Sequence, residues 1–67
     1  MTKEQAIEAM GKGEKVTHRF FDAHEFITMK GTIYIDEMGY SLSPNAFWAY
    51  RTSEEWETDW SVYQEKK

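Results

Sequence analysis

The period of apolar positions changes several times along this chain, and each change marks an element. Over residues 2–10, Ala6, Ile7, Ala9 and Met10 form a narrow stripe at helical spacing. Thr2 stands at the N-cap position with Gln5 three residues on, the pattern of a capping box. Gly11 and Gly13 supply the stop, one of them in the left-handed C′ conformation. A helix this short does not hold in water alone, so the stripe must dock on something.

From residue 15 to 21 the period becomes two. Val16, His18 and Phe20 alternate with Thr17, Arg19 and Phe21, which predicts a strand. Asp22-Ala23-His24 predicts a loop. Residues 25–29 and 32–36 predict a hairpin around a two-residue Lys30-Gly31 turn, with the glycine in second place. Asp36-Glu37-Met38-Gly39 predicts a further turn, and residues 40–42 a short third strand.

Ser43-Pro44 is a helix start, with serine as cap and proline at the first helical position, and residues 45–50 continue it for a turn or two. Thr52 and Glu55 suggest a second capping box, with a helical turn over residues 54–58. Trp60 and Val62 alternate with Ser61 and Tyr63 in a closing strand, and residues 64–67 read as a frayed polar tail. The pieces combine into one α+β domain: an N-terminal helix on a four- or five-stranded antiparallel sheet, with a short helical insertion before the last strand. The expected core is Ile7, Met10, Val16, Phe20, Phe26, Ile33, Ile35, Leu42, Phe47, Trp56, Trp60 and Val62. A one-residue slip would exchange the two faces of any strand.

Composition changes this picture in three ways. The chain has 67 residues, which allows one core. A domain so small often leans on staples, and with no cysteine disulfides are excluded. The staples left are heavy aromatic packing and burial of a face in a homo-oligomer, and both stay open. The rings Phe47, Trp48, Tyr50, Trp56, Trp60 and Tyr63 crowd the last third, and each one buried removes about 150–250 Å² from water. The charge is −4, from 12 acidic and 8 basic residues, the opposite of a general nucleic-acid binder. No apolar run approaches the roughly 18–20 residues of a membrane span, and the first residues have no signal-peptide core. Work in the cytosol is the expectation.

Candidate chemistry is sparse. His18 and His24 are the two histidines, and they lack ligand spacing. Ser43, Ser53 and Ser61 sit in cap or strand contexts, no phosphate loop is present, and neither catalysis nor a cofactor is expected. The placement of basic residues says more. Lys15 and Arg19 lie on the first strand, and Arg51 follows the aromatic run that includes Trp48. Cations beside rings can hold the phosphate and the base of a nucleotide; they can equally cover sheet edges and pair with glutamates. Glu54, Glu55, Glu57 and Asp59 around Trp56 offer a different idea, an acidic surface with an aromatic anchor for a basic partner. The plain alternative is a solvated face with Trp56 turned inward.

The order of these features resembles a group of very small tailed-phage and prophage proteins. The resemblance is carried by Glu8-Ala9 through Gly13 and Val16, by His18-Arg19-Phe20, by Asp36-Glu37-Met38-Gly39, and by Trp56-Glu57-Thr58-Asp59-Trp60-Ser61-Val62. The layout is similar to the Thoeris anti-defence proteins of the second type, oligomeric sponges that sequester cyclic nucleotide signals of bacterial immunity. Arg19-Phe20-Phe21 stands where those proteins carry a basic residue followed by tryptophan. The resemblance implies a non-catalytic phage accessory protein in the host cytoplasm. It would bind a small nucleotide between subunits through Lys15, Arg19, Trp48 and Arg51. The alternative is an acidic phage protein that inhibits a host protein through Glu54, Glu55, Trp56, Glu57 and Asp59.

Overall fold

The structure is a computed structural model and describes residues 1–64; the expected tail lies, save for Gln64, outside them. In chain order the elements are α1 (Lys3–Gly11), β1 (Val16–His18), β2 (Ile27–Lys30), β3 (Ile33–Asp36), β4 (Ser41–Leu42), α2 (Pro44–Ala49), a 3-10 turn (Glu54–Trp56) and β5 (Trp60–Val62). The strands form one sheet in the order β4-β3-β2-β1-β5, with every neighbouring pair antiparallel. This is the α+β architecture that the sequence predicts, with five strands.

Both helices start and stop as local chemistry dictates. Gln5 N–H donates to Thr2 Oγ1 at 3.2 Å, and Thr2 N–H donates to Gln5 Oε1 at 2.9 Å, closing the capping box. At the other end Gly13 has φ +89°, and Gly13 and Glu14 N–H donate to Met10 and Ala9 carbonyls at 2.9 and 3.1 Å. That pair of bonds is a Schellman motif, and Gly13 is its left-handed residue. α2 is capped by Ser43, whose Oγ accepts from Ala46 N–H at 3.1 Å. The 3-10 turn is capped by Ser53 rather than Thr52, with no side-chain bond to its amides. The second capping box therefore does not form.

The core lies where α1 and α2 cover one face of the sheet. Ala6, Ala9 and Met10 from α1 meet Val16, Ile27, Tyr34, Phe47 and Trp60, with Ile7, Leu42 and Trp56 packed at the margin. Four of the expected core residues sit elsewhere. Phe20 is 54 % exposed, because the chain leaves β1 after His18. Phe26 lies half-buried against Tyr63, ring centroids 4.8 Å apart. Ile33 and Ile35 flank the buried Tyr34, so they point to the opposite face.

The hairpin turn is also shifted by one residue. Lys30 pairs with Ile33 and Met29 with Tyr34, so Gly31-Thr32 forms the turn and Lys30 belongs to the strand. Gly31 has φ +65° and Thr32 does not share its positive φ, so glycine takes the first turn position, as a type II′ turn requires. A lysine-first turn would have forced positive φ onto Lys30. The shift leaves the same residues sharing a face; the face turned to the core is that of Ile27 and Tyr34, each at 2 % exposure, and Ile33, at 39 %, lies on the other. Val62 faces the core side with Val16, but on the edge strand it stays partly open.

This register has a direct consequence for stability. Tyr34→Ala is expected to cost about 3–5 kcal/mol and Ile33→Ser less than about 1 kcal/mol, as read from urea unfolding midpoints. The reverse order would mean that the sheet packs the face of Ile33 and Ile35 inward.

Candidate functional site

Trp60 opens β5 at the centre of an aromatic cluster. Its ring lies 4.8 Å from His18, 5.7 Å from Phe21, 5.5 Å from Trp48 and 6.0 Å from Trp56, centroid to centroid. Its indole N–H donates to the Trp56 carbonyl at 2.8 Å. His18, directly across the ladder from Trp60, is 3 % exposed and works on the same segment. His18 Nε2 lies 2.8 Å from both the Glu55 and Thr58 carbonyls, and Phe20 N–H donates to its Nδ1 at 3.1 Å. The neutral tautomer protonated at Nε2 satisfies all three partners, and we assign it on that ground. The same Phe20 bond turns the chain out of β1, which is why the strand is shorter than its alternating pattern. His18 lies on the predicted strand, but nothing in the sequence announces its three partners or its depth.

Arg51 completes the cluster. It leaves the C-terminus of α2 and donates from Nη1 to the Phe47 carbonyl at 3.0 Å. Its guanidinium carbon lies 4.1 Å from the Phe47 ring centroid, 5.3 Å from Trp56 and 5.9 Å from Phe21. Burial among these rings lowers its pKa, and the Glu25 carboxylate opposes that shift. Its Nε is buried with no hydrogen-bond partner. A guanidinium so placed contributes cation–π attraction and packing as well as charge.

Beside Arg51 is a pocket of about 160 Å³. Phe21, Phe26, Ile27, Leu42 and Phe47 form its apolar walls. Glu25, Asp36 and Glu37 bring three carboxylates to it. A wider hollow of about 310 Å³ runs along α1 past Glu8 and Lys12, which pair with each other at 3.5 Å in the open.

The four cations and rings expected to hold a ligand do not converge. Arg19 and Arg51 do share one cluster: the Arg19 guanidinium carbon is 4.9 Å from the Phe20 ring, and Phe20 meets Trp56 edge-on at 5.4 Å. Lys15 lies elsewhere, its ammonium 4.8 Å from Phe26. Trp48 is half-buried, donates from Nε1 to the Tyr34 hydroxyl at 3.0 Å and is covered by the Lys3 ammonium at 4.5 Å. Its role here is packing. Sequence reasoning missed Glu25, Asp36 and Glu37 as a group, because two separated segments bring them together and no spacing announces that.

The acidic segment is arranged differently. Glu54, Glu55, Glu57 and Asp59 are exposed, while Trp56 is half-buried with its ring 4.3 Å from His18. The anchor is thus already used inside the molecule. The Ser53 hydroxyl and then the Glu55 backbone hold the Glu55 carboxyl below the usual range, and Arg19 adds to this. Arg19 also pairs with Asp59 at 3.4 Å, with both side chains largely open to water. Asp59 takes φ +69°, a left-handed turn that aims its carbonyl at Arg19 N–H, 3.3 Å away.

No family model matches this chain, and neither a curated protein nor a solved structure does. Among the described residues, no helix is long and apolar enough to cross a membrane, and no group of three potential metal ligands occurs.

Replacing His18 by Phe keeps the ring but leaves two carbonyls and one amide unpaired. The expected loss is about 3 kcal/mol of unfolding free energy, read from denaturant curves followed by tryptophan fluorescence. A loss below about 1 kcal/mol would show that water satisfies the three groups equally well.

Proposed function

We propose that this chain is a non-catalytic binding protein of the phage accessory type, which takes up a small nucleotide and so withholds it from a host signalling system. One observation carries this reading: Arg19 and Arg51 stand on the same aromatic cluster, and its outermost ring, Phe20, is half open to water. An exposed ring offers a stacking surface to a base. Guanidinium groups offer paired, charge-assisted bonds to a phosphate. Arg51 has already lost much of its water in folding. Arg19 would have to exchange Asp59 for the ligand, and an exposed ion pair of that kind is worth at most about 1 kcal/mol. Sequestration needs affinity alone and no reacting group.

The resemblance to small phage proteins favours the same reading and adds self-association to it. The pocket beside Arg51 is about 160 Å³, well below the roughly 300–1,000 Å³ of a site that encloses a whole ligand. A nucleotide would therefore project beyond one subunit, and a neighbouring copy is the natural cover for it. The proposed setting is the cytoplasm of the host.

A second reading has its own observation, the four exposed carboxylates of the 54–59 segment. They suit a basic surface on a host protein. That complex would weaken with added salt, and with Glu54→Lys and Glu57→Lys.

Arg19→Ala is the clean test of the nucleotide reading, because its side chain is 59 % exposed and is not part of the core. Isothermal titration with nucleotides is expected to show at least about a tenfold loss of affinity, with an unchanged unfolding midpoint. Unchanged affinity would contradict the reading. Arg51→Ala is less informative, since it also removes a side chain wedged between rings.

A further inference from the structure

We infer that Asp59 sets the specificity of the Arg19 site for the charge of its ligand, so that a phosphodiester with one negative charge is taken up in preference to a phosphate monoester with two. This deepens the nucleotide reading and rests on it. Asp59 already stands where the phosphate would bind. Its carboxylate lies 3.4 Å from the Arg19 guanidinium, and its carbonyl accepts from Arg19 N–H at 3.3 Å. Among the described residues it is the one non-glycine with positive φ, at +69°, a conformation that aspartate tolerates better than most side chains. Both of its neighbours are pinned. The Thr58 carbonyl accepts from His18 Nε2 at 2.8 Å, and Trp60 N–H donates to the Met1 carbonyl at 3.1 Å. With its backbone held on three sides, Asp59 can turn its side chain away from Arg19 but cannot leave the rim. The displaced carboxylate therefore stays beside the incoming phosphate.

The other charges of the rim are matched as well. The Ser53 hydroxyl, then the Glu55 backbone, and with them the charge of Arg19 hold the Glu55 carboxyl below the usual range, so Arg19 faces two carboxylates. Burial lowers the pKa of Arg51, and the Glu25 carboxylate that faces it opposes that shift. The first negative charge of a ligand costs little here, because it takes the place of Asp59 on Arg19. A second charge finds both guanidinium groups already matched. It meets Asp59 and Glu55 in like-charge repulsion, which at an exposed site reaches over about 8–10 Å. Hydrogen bonding does not offset this. A diester and a monoester each keep two non-bridging oxygens, enough for a paired contact with one guanidinium. The filter is one of charge and not of shape.

The test is a titration of the intact, ¹⁵N-labelled protein at pH 8, followed by amide shifts, with AMP, GMP, the phosphate methyl esters of both, and the two nucleosides. Each ester carries one charge fewer than its nucleotide, since the second ionisation of a phosphate monoester falls at about pH 6. The esters are expected to bind at least about threefold more tightly than AMP and GMP, with the gap closing as salt is added. Asp59→Asn keeps a residue that accepts the left-handed turn. It is expected to raise the affinity for the nucleotides at least about threefold and for the esters less, so that the preference is lost. Glu8→Gln removes the same charge from α1 and is expected to change neither. Unfolding midpoints check that each variant folds. Nucleotides that bind as tightly as their esters, or a preference that Asp59→Asn leaves intact, would overturn the role of Asp59. If Arg19→Ala still weakens both kinds of ligand, the nucleotide reading stands. Nucleosides that bind as tightly as nucleotides, unaffected by Arg19→Ala, would overturn both, as would the absence of saturable shifts with every ligand.

Discussion

Two ring N–H groups hold the last third of this protein to its sheet. Trp60 Nε1 donates to Trp56, and His18 Nε2 donates to Glu55 and Thr58, so three carbonyls of one four-residue stretch are tied to β1 and β5. A polar acidic segment has little reason to lie against an aromatic core, because its backbone groups would lose water there. The ring donors remove that penalty, since they satisfy the carbonyls in place. Met1 reinforces the arrangement from outside, exchanging backbone hydrogen bonds with Trp60, and Lys3 N–H adds one to Glu57 at 2.9 Å. The start of α1, β1 and the 54–59 segment are therefore one mechanical unit.

The candidate site depends on that unit. With the segment seated, Trp56 is half-buried, with the Arg51 guanidinium 5.3 Å from its ring and Phe20 edge-on to it at 5.4 Å. The Phe20 N–H to His18 Nδ1 bond turns the chain at Arg19, which brings that cation to the rim next to Asp59. A side chain buried for structural reasons thus aims the exposed ones. Carboxylates gather on the open 54–59 surface and, from Glu25, Asp36 and Glu37, around the pocket beside Arg51.

Much of the fold is legible in the sequence, because local rules decide it. The capping box of α1, the glycine that ends it, the Ser43-Pro44 start of α2 and the β2-β3-β4 meander all follow from neighbours in the chain. What failed was decided by longer-range balance. Ile33 and Ile35 look like the core pair of β3, yet the sheet turns the face of Ile27 and Tyr34 onto the helices, and the Tyr34 hydroxyl accepts from Trp48 Nε1 at 3.0 Å. Phe20 continues an alternating pattern, yet a histidine nitrogen takes its amide and ends the strand. In the site, the pairing of Arg with aromatic residues was legible for Arg19 and Arg51. Lys15 and Trp48 carry the same chemistry but the sheet and the Tyr34 hydroxyl divert them. The carboxylate pocket was not legible, since Glu25, Asp36 and Glu37 belong to two turns that only the register of the sheet brings beside α2.

The most direct measurement is a long-range ¹H–¹⁵N correlation spectrum of the His18 ring at neutral pH. The account expects a neutral imidazole protonated at Nε2, with Nδ1 as acceptor and the Phe20 amide protected from exchange. A ring protonated at Nδ1, or a freely exchanging Phe20 amide, would mean that His18 does not bind the segment as described, and the seat of Trp56, Arg19 and Arg51 would need another explanation.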